Sequence, residues 1–205
     1  MQKSSLAVYQ FLNEQNLLQN APRLWWPDAG TFTVVISAVL TQNTTWQNVQ
    51  RSLQNLENTL TLESFISLHV EELKELIRPS GFYNQKAPRL LTLAKNIQER
   101  FGTFEVFQQK VTREWLLAQN GIGEESADAI LCYACLRNEM VVDNYTKRLL
   151  KKEFGIVFKT YGEYKEYLQS GLKEAFTCKE LYTVYARFHG MIVEYNKRHK
   201  LEPFK

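Results

Sequence analysis

The chain has 205 residues, a formal net charge of +3 and three cysteines. This length allows one buried core or two small ones, and the low, odd number of cysteines excludes a secreted disulfide framework, so we expect a reducing cytoplasm. No apolar run approaches the roughly 18 residues of a membrane span, so we expect no membrane partner. The small positive charge permits nucleic-acid binding but does not by itself argue for it.

Helical periodicity dominates the whole chain. Apolar residues recur at helical spacing almost everywhere and strict alternation is hardly seen, so we predict an all-α fold. In the first half, the first predicted helix begins near Ser4 or Ser5 and the second covers Phe32 to Leu40. The third carries Trp46, Val49, Leu53, Leu56 and Leu60, and a short one runs from about Glu71 to Ile77.

The helix boundaries are clearer further along the chain. The run from Arg78 to Gly81 breaks the pattern, Asn84 is predicted to cap a long helix, and Gly102 is predicted to end it. The remaining predicted helices cover Thr112 to Gln119, Glu124 to Leu136 and Asn144 to Phe154, with Gly155 ending the last of these, and two amphipathic helices follow from Tyr161. We find no internal repeat and no linker.

The turn Asn120-Gly121-Ile122-Gly123 lies between two predicted helices. Its glycines allow positive φ angles, so successive backbone amides can point outward beside the N-terminus of the helix that begins near Glu124. Such amides bind a phosphate without reading base identity, and we predict that this turn and Ser126 bind the DNA backbone. The alternative is a tight turn between helices, with Ile122 inserted into the core.

Asp143 follows the apolar pair Val141-Val142 and precedes a predicted helix, which places its carboxylate at the N-cap position. The helix dipole at this position favours the ionised form. An ionised carboxylate beside a glycosidic carbon can stabilise the oxocarbenium charge of the sugar and orient a water molecule against it. We therefore predict Asp143 as the catalytic residue for cleavage of a nucleoside bond, with a purely structural cap as the alternative.

Three motifs occur in the order and at the approximate spacing of a known family. They are Leu40-Thr41-Gln42-Asn43, Gly81-Phe82-Tyr83-Asn84-Gln85-Lys86-Ala87, and the stretch from Leu117 to Ala129 followed by Val142-Asp143-Asn144-Tyr145. Together they resemble the helix-hairpin-helix DNA glycosylases of the endonuclease III superfamily, and most of all the monofunctional 3-methyladenine DNA glycosylase branch without an iron-sulfur cluster. The resemblance implies two helical lobes: a central six-helix bundle over residues 23–136, with its hairpin at 112–136, and a second lobe from residues 1–22 and 137–205.

Two departures from the wider family sharpen this resemblance. Where bifunctional members carry a lysine that forms a Schiff base with the sugar, this chain has Glu125, and a carboxylate cannot form an imine. The only cysteine beyond Leu136 is Cys178, so the four C-terminal cysteines that hold an iron-sulfur cluster in many relatives are missing. Cys132 and Cys135 are interpreted as core thiols. We expect no cofactor and no metal site, although the hairpin could hold a monovalent cation.

Aromatic residues near the start of the predicted bundle form the expected base pocket. A glycosylase extrudes its target nucleotide, and stacking on aromatic rings offsets part of the lost base stacking. Tryptophan faces also attract the positive ring of an alkylated purine more than they attract a neutral base. We assign to this pocket Trp25, Trp26, Pro27 and Trp46, with ordinary core packing as the alternative for the tryptophans.

By the same resemblance, two residues are expected to open the duplex. Gln42 would enter the gap left by the flipped nucleotide, and Phe82 would wedge between bases of the opposite strand. The alternatives are that Gln42 caps its helix and that Phe82 packs beneath its loop. Lys86 could touch a phosphate but is interpreted as a solvated side chain at a helix start, and His189 as a structural or exposed residue.

The residues and the resemblance together predict a monomeric cytoplasmic enzyme that acts on double-stranded DNA containing damaged bases. It would flip out an alkylated purine, above all 3-methyladenine, and hydrolyse the N-glycosidic bond with water that Asp143 activates or orients. Two alternatives stay open at this point. One is a glycosylase with lyase activity for oxidised pyrimidines, and the other is a non-catalytic DNA-binding module that uses the same hairpin.

Overall fold

The computed structural model describes residues 4–201, and these residues form helices joined by turns, with no β-strand among them. The predicted all-α class is therefore confirmed. In chain order the α-helices are α1 (Ser5–Asn13), α2 (Phe32–Leu40), α3 (Trp46–Asn55), α4 (Leu62–Ile66), α5 (Val70–Leu76), α6 (Tyr83–Phe101), α7 (Phe104–Lys110), α8 (Arg113–Leu117), α9 (Glu124–Ala129), α10 (Asn144–Phe154), α11 (Tyr161–Ala175) and α12 (Cys178–His199). Two 3-10 helices cover Glu57–Thr59 and Arg78–Ser80, and a π-helix covers Ile130–Ala134. None of the helices described is both long enough and apolar enough to cross a bilayer.

The chain divides into two compact units. Unit 1 comprises Met1–Pro27 and Arg137–Lys205, and unit 2 comprises Asp28–Leu136. In unit 1, α1 packs against α11 and α12, while α10 packs against α12. The apolar faces of these helices meet in a core of their own, which contains the fully buried residues Val8, Leu12, Leu149, Leu168, Tyr185 and Ile192.

Unit 2 is built around α2 and α6. All nine residues of α2 are buried, as expected for a helix that is apolar on every side. The longer α6 packs against α2, α4, α5 and α7 through one apolar face. The C-terminus of α2 leads directly into the turn that carries Gln42, and the N-terminus of α6 follows directly after Phe82. These two helices therefore determine where the two predicted duplex-opening residues emerge.

The predicted helix count and one predicted cap are wrong. Unit 2, whose residues are all described, contains eight α-helices where six were expected. The two that were missed, α4 and α7, have five and seven residues, which is too short for apolar periodicity to show. The cap of α6 is Phe82 and not Asn84, because the helix already begins at Tyr83 and Asn84 lies inside its first turn.

Three predicted boundaries also differ from the structure. The helix that starts at Trp46 ends at Asn55 and not near Leu60, and the 3-10 helix Glu57–Thr59 follows it. The predicted helix over 124–136 is α-helical only as far as Ala129 and then widens into the π-helix, which ends at Ala134. The first boundary between the units lies between Pro27 and Asp28 and not before Arg23. The segment from Arg23 to Pro27 belongs to unit 1 because Trp25 contacts α12 there.

Candidate functional site

Asp143 occupies the N-cap of α10 in unit 1. Its Oδ1 accepts hydrogen bonds from the backbone N–H of Thr146 at 2.7 Å and from the Thr146 hydroxyl at 2.9 Å. The backbone N–H of Asp143 donates to the Thr146 Oγ1 at 3.4 Å, which completes a capping box. This arrangement confirms the predicted cap and leaves the second carboxylate oxygen, Oδ2, for another partner.

That partner is His189, in α12. Its Nε2 lies 3.3 Å from Oδ2 of Asp143, and the residue is only 3% exposed. We expected a structural or exposed histidine, and the structure shows a buried one whose partner is the predicted catalytic carboxylate. The two residues are 46 positions apart, so no local motif in the sequence could have paired them.

Opposing effects determine the ionisation of Asp143. Burial raises the pKa of its carboxyl group. The hydrogen bond and charge of His189, together with the hydrogen bonds from Thr146, lower this pKa by more than burial raises it. The pKa therefore lies below the ordinary value for aspartate. The carboxylate is therefore ionised near neutral pH although its side chain is only 11% exposed. Because little water screens such a group, it interacts strongly with a positive charge that forms beside it.

Trp25 extends this arrangement on the surface of α12. Its ring meets the His189 ring edge to face at a centroid distance of 5.3 Å, and its Nε1 donates to Oε1 of Glu194 at 3.1 Å. The backbone φ of Trp25 is +68°, a region that bulky residues rarely adopt. Gly190 provides the space for this approach, since a Cβ there would lie 2.3 Å from Cγ of Trp25. We call Asp143, Thr146, His189 and Trp25 the Asp143 cluster.

The other residues assigned to the base pocket are divided between the two units. Trp26 is buried with its ring edge to face with Trp25 at 5.9 Å, and Pro27 is exposed. Both belong to unit 1, whereas Trp46, the first residue of α3, belongs to unit 2. Placing all of them in the central bundle was therefore wrong for Trp25 to Pro27, because contacts with α12 hold that segment in unit 1. Their role in binding a base stays a prediction.

The predicted phosphate-binding turn lies between α8 and α9 in unit 2. Gly121 has a φ of +83°, but Gly123 has a φ of −94° and serves as the N-cap of α9. The expectation of positive φ at both glycines is wrong for Gly123, because an N-cap residue needs an extended backbone. Ile122 is buried while Asn120 and Gly123 are exposed. The turn is thus anchored by one apolar side chain and accessible on both sides of it.

Gln42 connects the turn after α2 with this hairpin. Its amide Nε2 donates to the carbonyl oxygen of Gly121 at 2.9 Å and to Oγ of Ser126 at 3.0 Å. The alternative that its side chain caps its own helix is therefore wrong. The Gly121 carbonyl would be a natural ligand for the expected monovalent cation and already accepts this hydrogen bond, so the cation stays a prediction.

Phe82 is displayed on the surface of unit 2. It is 59% exposed and has a φ of +49°. The alternative that it packs beneath its loop is wrong. An exposed aromatic ring on a strained turn is suited to insertion between stacked bases, where it would replace lost stacking.

Lys86 is not the solvated side chain that its position suggested. It is 3% exposed, and its Nζ donates to the carbonyl oxygens of Leu40 at 2.9 Å and Ser80 at 2.8 Å. Burial lowers the pKa of this ammonium group to about 8. Periodicity did not indicate this, because a lysine in the first turn of an amphipathic helix is usually exposed.

Arg89, also from α6, lies across the hairpin turn. A Cβ at Gly121 would lie 2.7 Å from Cδ and 3.2 Å from Nε of Arg89. No motif in the sequence connects Arg89 with the hairpin. The structure therefore adds a positive charge beside the predicted phosphate-binding amides.

The cysteines do not provide the ligands of an iron-sulfur cluster. Four thiolates are required, and the chain has only three cysteines, of which Cys132 and Cys135 lie in unit 2 and Cys178 in unit 1. Within residues 4–201, no group of three or more His, Cys, Asp or Glu side chains has an arrangement that could hold a metal ion.

Comparison with known proteins identifies related sequences and folds. The sequence matches the family described as HhH-GPD superfamily base excision DNA repair protein over residues 36–174, more than half of the chain. A protein of Methanocaldococcus jannaschii, provisionally named a DNA repair glycosylase, is 42% identical over 200 residues, which cover 93% of this chain and 86% of that protein.

Solved structures agree with this match. The structure of an H. pylori 3-methyladenine DNA glycosylase bound to 1,N6-ethenoadenine has a TM-score of 0.91 and 45% identity, with 98% of this chain and 100% of that chain covered. An endonuclease III trapped as a covalent intermediate with DNA has a TM-score of 0.72 and covers 96% of this chain and 87% of that one. Its identity of 19% means that this second likeness concerns the fold alone.

Proposed function

We propose a substrate and a mechanism for this chain, which belongs to the HhH-GPD superfamily of base excision DNA repair proteins and is a DNA glycosylase. It excises alkylated purines, 3-methyladenine above all, by hydrolysing the N-glycosidic bond and leaving the DNA strand intact. It works as a cytoplasmic monomer without an iron-sulfur cluster. The observation that carries this proposal is the ionised, nearly buried carboxylate of Asp143, held by His189 and Thr146.

Asp143 acts on the sugar and not on the base. As the bond between C1′ and the purine nitrogen breaks, its electron pair stays with the base and neutralises the positive alkylated ring. The sugar is left with oxocarbenium charge, which the Asp143 carboxylate stabilises because the low exposure of the side chain weakens water screening. A water molecule oriented by the same carboxylate then attacks C1′ and releases its proton to solvent.

The lowered pKa of Asp143 favours a substrate that is already cationic, because an ionised carboxylate cannot protonate a leaving base. A neutral base needs a proton before it leaves, and the Asp143 cluster contains a carboxylate whose pKa is lowered and which is therefore a poor acid. An alkylated purine leaves as a neutral molecule without such help. The 45% identity with a 3-methyladenine DNA glycosylase supports the same substrate class, as do the tryptophan rings of unit 1.

Hydrolysis without strand cleavage follows from Glu125. This residue is exposed near the start of α9, where bifunctional relatives carry the lysine that attacks the sugar. A carboxylate cannot form the imine that strand cleavage by such an enzyme requires. Water is therefore the nucleophile, and no covalent complex with DNA forms.

DNA binding is proposed for the exposed turns of unit 2. Backbone amides of the hairpin and the guanidinium of Arg89 contact phosphates, while Gln42 and Phe82 occupy the space that the flipped nucleotide leaves. Most of these contacts are independent of base identity, so the choice of substrate depends on the flipped base alone.

One assay separates this proposal from both alternatives. The protein is incubated with methylated duplex DNA and with duplex DNA containing an oxidised pyrimidine, and released bases are resolved by chromatography. We expect 3-methyladenine to be released from the first, with no base released from the second. A parallel reaction with sodium borohydride should trap no covalent complex. Binding of methylated DNA without release of any base would identify a binding module, and efficient trapping would identify a lyase.

A further inference from the structure

Lys86 is a buried ammonium group that the mechanism above does not use. We propose that it is a positioning residue: it holds the turn that carries Gln42 and the turn that carries Phe82 at a constant separation, so that both enter the DNA duplex together. This inference rests on the proposed role of these two turns in opening DNA. It does not depend on which base is excised.

The geometry places Lys86 between the starting points of both turns. One hydrogen bond, 2.9 Å long, reaches the carbonyl of Leu40, the last residue of α2 and two positions before Gln42. The other, 2.8 Å long, reaches the carbonyl of Ser80, the last residue of the 3-10 helix and two positions before Phe82. A single ammonium group therefore connects two segments that are forty residues apart in the sequence (80 − 40).

Both turns contain a residue other than glycine in the left-handed region, which asparagine tolerates and which is strained for a bulky phenylalanine. Asn43 has a φ of +54° and Phe82 a φ of +49°, and neither is a glycine. Residues in this region persist only where surrounding contacts determine their conformation. The hydrogen bonds from Lys86 end three residues before Asn43 and two residues before Phe82, so they limit the freedom of each turn close to the point where it leaves the core.

An ammonium group suits this role better than an apolar side chain would. Burying it carries a desolvation cost, which is visible in a pKa lowered to about 8. It can nevertheless donate to two carbonyls at once, and a positive charge at the C-terminus of α2 interacts favourably with the helix dipole. An apolar residue of the same length would fill the space and leave the two turns unconnected.

The same network reaches the hairpin. Gln42 donates to the carbonyl of Gly121 and to Oγ of Ser126, so the turn anchored by Lys86 is in contact with the proposed phosphate-binding residues. Binding of the DNA phosphates by the hairpin and insertion of Gln42 and Phe82 into the duplex would therefore be coupled steps. Loss of Lys86 should weaken base flipping more than it weakens contact with the phosphates.

The test compares Lys86→Met with Lys95→Met, which removes the same charge from an exposed position of the same helix. Base flipping is followed with 2-aminopurine next to the lesion, and phosphate contact by binding to undamaged duplex. We expect Lys86→Met to lower the flipping equilibrium about tenfold, the order of one lost stacking contact, with little change in binding to undamaged DNA. Lys95→Met should behave like the wild type in both measurements.

Two further measurements distinguish positioning from a general structural role. On a substrate whose target base is already unpaired in a bulge, Lys86→Met should excise at nearly the wild-type rate, because no wedge is needed. In a double-mutant cycle, Gln42→Ala and Phe82→Ala should be non-additive in the wild type and additive in Lys86→Met. If Lys86→Met does not fold, Lys86→Gln replaces it, since its shorter amide cannot span both carbonyls and should show the same loss.

Two results would overturn the role of Lys86. One is flipping by Lys86→Met equal to that of Lys95→Met, and the other is an equal loss of rate on the paired and the bulged substrate. Failure of the proposed function is recognised separately, because the wild type would then release no methylated base while the 2-aminopurine signal still reported on flipping.

Discussion

The Asp143 cluster of unit 1 and the turns of unit 2 are built in contrasting ways. In the cluster, Asp143, Thr146 and His189 are buried, and both carboxylate oxygens have hydrogen-bond partners within 3.3 Å. In the turns, Phe82 and Asn120 are exposed, and positive φ angles occur at Phe82 and Gly121. The Asp143 cluster thus holds an ionised carboxylate in one position. The turns of unit 2 present backbone groups and an aromatic ring to a large partner.

This contrast predicts two kinetic signatures. A charge that is already oriented contributes to the transition state, so changes in the Asp143 cluster should lower the rate of the chemical step and leave DNA affinity almost unchanged. Exposed turns contribute to binding and flipping, so changes there should weaken DNA affinity and leave the chemical step almost unchanged. A variant of either region that showed the opposite signature would break this division of labour.

The largest effect is expected for Asp143→Asn. The amide keeps the N-cap acceptor but lacks the negative charge, so we expect the single-turnover rate on methylated DNA to fall about 100-fold or more. The dissociation constant for DNA, measured by fluorescence anisotropy, should stay within about twofold of the wild type, because no phosphate contact changes. Glu174→Gln removes the same charge from an exposed position of α11 and serves as the control. A rate that fell equally in both variants would exclude catalysis by Asp143.

A smaller and pH-dependent effect is expected for His189→Ala. Without His189, burial still raises the pKa of Asp143 while the largest lowering contribution is gone, so the carboxylate should protonate at a higher pH. The acidic limb of the profile of rate against pH should move to higher pH. The rate at neutral pH should fall about tenfold, which corresponds to the free energy of one hydrogen bond to a charged group. His189→Gln, which retains a donor in a similar position, should restore part of the shift. An unchanged acidic limb would contradict the role of His189.

The same pKa shift has a consequence for stability. Because the pKa of Asp143 is lower in the folded than in the unfolded chain, ionised Asp143 stabilises the fold above the ordinary aspartate pKa. That contribution is lost as the pH falls below this value towards the pKa of the folded state. Urea unfolding at a series of acidic pH values should show a weaker loss in His189→Ala than in the wild type.

Phe82→Ala tests the exposed region. Its ring is 59% exposed, so the thermal midpoint should hardly change, while loss of stacking should weaken flipping about tenfold. The readout is 2-aminopurine fluorescence together with KM for methylated duplex. Val157→Ala, which truncates a 55% exposed residue of unit 1, provides the matched control. A lower single-turnover rate on a substrate whose target base is already unpaired in a bulge would place Phe82 in the chemical step instead.

The smallest effect is expected for Gly121→Ala. Its Cβ would be held at a φ of +83° and only 2.7 Å from Cδ of Arg89, so the hairpin or the arginine must shift. We expect DNA affinity to fall by a few-fold, in line with about 1 kcal/mol of backbone strain, without a change in the saturated rate. Gly155→Ala has a comparable φ of +66° with nothing within 4 Å of the new Cβ. Gly155→Ala should lower the free energy of unfolding by a similar amount and leave the affinity for DNA unchanged.

Local chemistry made parts of this molecule predictable. The bounds of α2 and α10 agree with the prediction because α2 is apolar except at Thr33 and Ser37, and α10 has Asp143 at its start and Gly155 at its end. The short α4 and α7 were missed because fewer than two full turns contain too little periodic information. Strong caps and long apolar runs are therefore recognisable without any knowledge of tertiary contacts.

The contacts that shape the candidate site could not be predicted in this way. Two contacts, Asp143 with His189 and Lys86 with Leu40, each join residues that are 46 positions apart. Hydrophobic periodicity does not predict contacts between such distant residues. The same pattern assigned Lys86 to the surface. Burial of its ammonium group is possible because the carbonyl oxygens of Leu40 and Ser80 both accept hydrogen bonds from it.

By itself, the sequence determined the all-α class, the N-cap carboxylate of Asp143 and the hairpin between α8 and α9, because each depends on neighbours within a few residues. Tertiary structure alone decided the unit to which Trp25 belongs, the partner of Asp143 and the anchor of the two turns. The physical reason is the range of the interactions: caps and turns satisfy nearby backbone groups, whereas burial of a charge depends on groups that only the folded chain brings together.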